Sequence, residues 1–204
     1  KPLAEAIQRM STAIVTTAVE LSREDWDSSE ISWDFQALPV VRHQSTTLQR
    51  SQEAADADCI NRFRRMTALE EDNNSIIIES YGLQKELSAE ASDDQITVYR
   101  PNREEDIKRL VSYTVGCMMG RYSLDEPGLM YAQGGNVGFD STRYKTFPAD
   151  QDGIIPVTEM PWFADDATNR FVEFIGVAWP KETLEENLTF VADSLGPGKG
   201  EAPR

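Results

Sequence analysis

One run of residues limits the fold more than any other. Between residues 45 and 81, Leu48, Ala55, Cys59, Phe63, Met66, Leu69, Ile76 and Ile77 fall on successive turns of a 3.6-residue period. That spacing puts them on one stripe of a long α-helix, and Gly82 stands where a left-handed residue closes such a helix. An apolar stripe of this length requires a partner. A second stripe, Leu3, Ile7, Met10, Ile14, Ala18 or Val19, and Leu21, predicts another helix over about residues 3–25. The stretch between them, residues 26–41, holds Trp26, Trp33, Phe35 and Pro39, which suits an ordered connection that packs back on the pair. The expectation is an antiparallel helical hairpin over residues 1–92.

The character changes beyond Leu87. Residues 88–94 are polar and acidic, residues 95–99 (Gln-Ile-Thr-Val-Tyr) read as a short strand, and Arg-Pro-Asn follows as a turn. A helix is predicted over 104–119, with Glu104, Glu105 and Asp106 in its first turn and Ile107, Leu110, Val111, Thr114 and Met118 on its buried face. Residues 122–147 mix aromatics with glycine and proline, which predicts an ordered irregular loop with a short strand or two. Two more helices are expected over 165–177 and 183–195, separated by Trp179-Pro180. The fold class is therefore mainly α with a small α+β part. Residues 93–195 form a mixed domain, and the Gly/Pro-rich residues 196–204 form a linker.

Charge narrows the function. The chain carries 35 acidic and 20 basic side chains, a net charge of −15, so its surface as a whole repels phosphate and disfavours autonomous nucleic-acid binding. The imbalance is local: residues 99–145 hold 7 basic and 6 acidic side chains, the only electropositive stretch. Cys59 and Cys117 lie in apolar helical contexts with no nearby partner and read as reduced core thiols. A single histidine, His43, leaves neither a zinc tetrahedron nor a Ser-His-Asp relay. No apolar run is long enough to span a bilayer and no signal-peptide core opens the chain, so a soluble cytoplasmic protein without membrane contact is expected. The start at Lys1 rather than Met implies a piece of a longer protein.

Arg100, Arg103, Lys108, Arg109, Arg121, Arg143 and Lys145 are candidate phosphate contacts, because guanidinium and ammonium groups position a protein on a duplex without reading its sequence. The same residues also read as a solvated helix face paired with Glu104, Glu105 and Asp106. Arg62, Arg64 and Arg65 form a second small cluster with the same two readings. Gly134, Gly135 and Gly138 fit neither phosphate-loop spacing and read as a loop needing positive φ. Asp150, Asp152, Gly153 and Glu159 partly match a calcium loop, but Pro148 occupies its first position and no metal is expected. The Asn73 and Asn187 sequons matter only in a secreted protein. By its residues alone, the chain reads as a scaffold or recognition module with aromatic anchors.

Several longer strings carry a resemblance. Ser32-Trp-Asp-Phe35, residues 69–74 (Leu-Glu-Glu-Asp-Asn-Asn) and residues 80–87 (Ser-Tyr-Gly-Leu-Gln-Lys-Glu-Leu) resemble the helical region beyond the catalytic domain of large adenine-specific DNA methyltransferases. Residues 105–129, then Leu184-Glu-Glu-Asn-Leu188 and Ala192-Asp-Ser-Leu-Gly196, are similar to the PglX-like methyltransferases of BREX phage-exclusion systems. The resemblance covers nearly the whole chain. It implies a parent enzyme that moves a methyl group from S-adenosylmethionine to adenine N6 and so marks host DNA. The family's Asn-Pro-Pro-Tyr motif has no counterpart here, nor does its Gly-containing cofactor motif, so no catalytic residue and no cofactor is expected in this segment.

Under that resemblance the hairpin is a rigid spacer, the mixed part is a connector or DNA cleft, and the parent reaches DNA through the seven cations. The alternative is a protein-interaction module, in which the acidic surface and Trp26, Trp33, Trp162 and Trp179 engage another defence component. Of these, Trp162 and Trp179 are the candidate partner contacts.

Overall fold

The computed structural model describes residues 2–158, 160 and 162–196, with residues 2–9 and Asn136 as backbone only. The helices are α1 (Pro2–Trp26), α2 (Pro39–Arg42), α3 (Leu48–Tyr81), α4 (Arg103–Met118), α5 (Ala167–Ala178) and α6 (Leu184–Leu195), and all but the short α2, which lies at the end of the expected connection, fall where the periodicity predicts them. It divides into two compact units, Lys1–Asp27 with Asp56–Pro101, and Ser28–Ala55 with Asn102–Arg204. The expected boundary at residue 92 falls inside the first, and residues 197–204 of the expected linker lie outside the described residues.

The first unit is built on a small core of Leu21, Met66, Ala91, Ile96 and Val98, flanked by Ala18, Phe63 and Leu69. Arg62 pairs with Asp25 Oδ1 at 3.2 Å. Helix α3 ends as its sequence predicts. Gly82 takes φ +70° and the Leu83 amide donates to the Ile78 carbonyl at 3.0 Å, which closes the last turn. The chain then returns along α3, where Asn74 donates to the Ala89 carbonyl at 3.3 Å and Glu71 accepts from the Ala91 amide at 3.4 Å.

Two expectations change in this unit. The strand over 95–99 does not form, and the described residues contain no strand. Ser92 and Gln95 close a capping box around a 3₁₀ turn at Asp93–Gln95, and side chains then satisfy the Tyr99 backbone that a ladder would have used. Asp25 accepts the Tyr99 amide proton at 3.0 Å and the Cys59 thiol donates to the Tyr99 carbonyl at 2.9 Å. Nor does a long hairpin seam form among the described residues. Ala18, Leu21 and Asp25 meet α3, whereas Met10, Val15 and Val19 are exposed, because periodicity identifies a shared face and not what covers it.

Helix α4 is the spine of the second unit and packs against α5 and α6, which also pack on each other. Asn102 caps it by accepting from the Glu105 amide at 3.2 Å, and three carboxylates fill its first turn. Its buried face, Ile107, Leu110, Tyr113, Thr114, Cys117 and Met118, joins Phe35, Leu38, Val40, Val41 and Leu48 from residues 28–55. Tyr113 and Tyr122 stack with centroids 5.1 Å apart, Phe35 meets Tyr122 edge-on at 5.3 Å, and Phe147 meets Phe174 at 5.3 Å. The loop over 122–147 is irregular as expected, but the short strand or two expected in it do not form among its described residues, and 3₁₀ turns at Gly134–Asn136 and Ser141–Arg143 stand in that stretch. Its polar pivot is Asp125, which accepts from the amides of Lys145 and Thr146 at 2.7 and 2.9 Å and from Thr146 Oγ1 at 2.5 Å.

Candidate nucleic-acid interface

The seven candidate cations meet different fates. Arg100, in the first unit, lies 4.8 Å over the Phe63 ring and donates to Asp93. Arg103 is drawn into the α4–α6 contact: it donates to Ser194 Oγ at 2.6 Å and sits 4.3 Å over the Phe190 ring. Lys108 is clamped by Glu104 and Glu105 at 2.8 and 2.9 Å, hydrogen bonds that hold its ammonium well above the usual lysine range. Arg143 makes a two-pronged contact with Glu126. Arg109 is half-buried in α4. Such intramolecular partners compete with a phosphate for each guanidinium or ammonium.

Arg121 and Lys145 stand apart. Both are exposed, and neither makes an ion pair among the described residues. Arg121 follows the end of α4, where Gly120 at φ +71° turns the chain outward, and its guanidinium lies 5.6 Å from the Tyr122 ring. Its carbonyl accepts the Met130 amide at 2.9 Å, which pins the backbone under it. Lys145 is held by its own amide on Asp125, so its side chain projects from a fixed turn. Asp125 is well suited to this: the cost of its partial desolvation is outweighed by hydrogen bonds from Thr146, Lys145 and Ser123, which hold its carboxyl below the usual aspartate range.

The aromatic anchors also divide. Trp26, Trp33 and Trp162 are 56%, 96% and 76% exposed, but Trp179 is 3% exposed and donates from Nε1 to Ser51 Oγ at 2.9 Å. Trp179 is a core residue and has no surface to offer a partner. Asn187, one of the two sequon positions, is 1% exposed and inaccessible to glycosylation. Asp150 accepts from the amides of Asp152 and Gly153 at 3.0 and 2.8 Å, a turn closed on itself, and Glu159 lies outside the described residues. Among the described residues no group of His, Cys, Asp and Glu could hold a metal ion, and no helix is long and apolar enough to cross a membrane.

Residue types alone did not single out Glu30 and Tyr122. They line a cavity of about 310 Å³ with Trp33, Phe35, Arg121 and Leu129. One Glu30 oxygen accepts from Ser112 Oγ at 3.2 Å and the other is buried with no hydrogen-bond partner. Desolvation raises its carboxyl above the usual glutamate range, against the opposing pull of Ser112 and Arg121. The available signal was an acid placed directly before Ile-Ser-Trp in an aromatic connection.

No family model matches the chain. The curated protein "Adenine-specific methyltransferase PglX" of Lacticaseibacillus casei (strain Zhang) is 39% identical over 202 residues, 96% of this chain. "Adenine-specific methyltransferase BrxX" of Escherichia coli O9:H4 (strain HS) is 36% identical over 209 residues, 91% of this chain. The chain spans 17% of the length of each of these relatives. The resemblance read from the strings is thus shown: over nearly its whole length the chain is similar to one segment of PglX and BrxX.

Proposed function

We propose that this chain is a non-catalytic segment of a DNA adenine N6-methyltransferase that marks host DNA in anti-phage defence. The observation that carries the proposal is the 39% identity to an adenine-specific methyltransferase over 96% of the chain. In this reading residues 1–92 serve as a helical spacer and residues 93–195 as a connector or wall of the DNA cleft. S-adenosylmethionine binds elsewhere in the parent, in keeping with the absence of an Asn-Pro-Pro-Tyr string here. The setting is cytoplasmic. Arg121 and Lys145 are the first phosphate contacts among the seven cations, since most of the others already have carboxylate or backbone partners.

A second reading is contact with another defence protein. It is supported by Ile154, Val157 and Trp162, which are 66%, 85% and 76% exposed within one stretch of chain. Trp179 has no role in it.

The test is methyl transfer from labelled S-adenosylmethionine to host-type DNA, by the 204-residue chain and by the full-length gene product in parallel. Transfer by the long form alone is expected. Transfer by the short chain would place a cofactor site within these residues and refute the non-catalytic assignment.

A further inference from the structure

Arg121 lines two cavities of the second unit. One, of about 310 Å³, is walled by the rings of Trp33, Phe35 and Tyr122 and by Leu129, with Glu30 among its polar groups. The other, of about 560 Å³, is lined by Tyr131, Gln133, Gly134, Gly135 and Asp152. Arg121 is thus common to both linings, a cationic residue shared by two cavities.

The first cavity has three properties that together define a ligand. Its volume and aromatic walls suit a planar ring system. Trp33 is 96% exposed, so almost none of its indole is used by the fold, while Tyr122 is held in place by stacking on Tyr113 at 5.1 Å and by Phe35 at 5.3 Å. One wall is therefore rigid and the other is a large aromatic face open to a ligand. Glu30 adds an acceptor: it lines the cavity, and one of its oxygens is buried without a hydrogen-bond partner, so a turn of the carboxylate toward a donor at this wall relieves a costly arrangement. A purely apolar ligand leaves Glu30 and Arg121 without purpose, and a simple anion leaves the aromatic walls and Glu30 without purpose. A cation would use Glu30 and the rings but would be opposed by Arg121.

The geometry points to a binding site for an unpaired dinucleotide step of single-stranded DNA, with an amino-bearing base against Trp33, Tyr122 and Glu30, the phosphate on Arg121, and the next nucleotide entering the Tyr131–Gly135 cavity. Stacking holds the base, since every base has a π-face, and the carboxyl accepts from the exocyclic amino group that adenine, cytosine and guanine carry and thymine lacks. The surroundings of Gly134 and Gly135 leave room for a backbone: a Cβ at either would meet nothing within 4 Å. The site goes beyond the proposed function, because it binds a free single strand whether or not a duplex lies along residues 99–145. The two readings fail separately.

The test is a titration of the full chain at low salt with oligo(dA) and oligo(dT) twelve-mers, read by tryptophan fluorescence and by polarisation of end-labelled strands. Oligo(dA) should bind at least about fivefold more tightly than oligo(dT). Trp33→Ala, at a position too exposed to matter for folding, should weaken oligo(dA) about tenfold, in line with the loss of one stacked base. Glu30→Ala should bring the two strands within about twofold of each other, with circular dichroism verifying that the helices persist. Equal binding of the two strands by the wild type, no binding of either, or an unchanged Trp33→Ala would overturn the proposal. Quenching by tetramethylammonium in place of oligo(dA) would also overturn it and assign the cavity to a cation. Duplex binding shares Arg121 with this site but uses neither Trp33 nor Glu30, so the responses of Trp33→Ala and Glu30→Ala distinguish the two.

Discussion

Asn187 Oδ1 accepts the amide proton of Leu48 at 2.8 Å, a hydrogen bond that spans 139 residues of sequence and joins α6 to the first turn of α3. The first amides of a helix lack intrahelical partners, and here a side chain from a distant helix supplies one. Asn187 is itself fixed by donating to Thr183 Oγ1 at 3.1 Å. Replacing it with Leu leaves the Leu48 amide buried and unpaired, so Asn187→Leu should destabilise the chain by about 1–3 kcal/mol. Urea unfolding is the measurement, and the midpoint should fall with little change in slope.

Gly116 and Gly176 make a matched pair. Each lies inside a helix, where alanine is ordinarily favoured by about 0.5–1 kcal/mol. At Gly176 an added Cβ would meet Leu184 at 3.8 Å, an ordinary separation, and Gly176→Ala should stabilise by that amount. At Gly116 the Cβ would lie 2.6 Å from Tyr122 Cδ2, so the ring must leave its stack on Tyr113. Gly116→Ala should therefore destabilise by about 1–3 kcal/mol, and opposite shifts in the two melting temperatures would verify the packing.

Glu30 gives stability a definite pH dependence. Its folded carboxyl titrates above the usual 4.5, so the folded state binds the proton more tightly than the unfolded chain does. Its contribution is favourable below the unfolded value and is lost as pH rises through the folded one. Glu30→Gln should remove this loss, so the variant gains on the wild type as pH rises from about 4 toward neutrality. Paired unfolding curves across that range provide the test, and a constant difference would contradict the burial of Glu30.

Cys117 should be chemically silent in the folded protein. It is 1% exposed, and burial, aided by Glu30 and opposed by a hydrogen bond from Tyr113, pushes its thiol up to about 12. Cys59 is buried as well and donates to the Tyr99 carbonyl. Titration with a disulfide reagent at about pH 8 should register neither thiol until denaturant is added. Prompt reaction of Cys117 would contradict the packing of α4.

Much of the fold was legible because long amphipathic helices repeat their message on every turn. The five helices read from spacing all form, with ends displaced by at most three residues, as where caps such as Asn102 and Asp166 act. What went unread depends on pairings between residues far apart in sequence. Ile96 and Val98 look like strand residues, but no neighbouring segment offers them a ladder and they enter a small core instead. The site was less legible. Arg103 and Arg121 are the same residue type in the same electropositive stretch, yet Arg103 meets Ser194, 91 residues away, while Arg121 remains outside the packing. Trp33 and Trp179 differ in the same way, and only the partner Ser51 distinguishes them.

Under the proposed function, residues around Arg121 and Lys145 face the DNA of the parent methyltransferase. The most direct measurement is the affinity of the full-length gene product for a host-type duplex as a function of salt, with Arg121→Glu and Lys145→Glu combined. Binding should weaken, and the log–log salt slope should become shallower by about two, close to one unit for each phosphate no longer neutralised. An unchanged affinity and slope would place this face away from the DNA and contradict that reading.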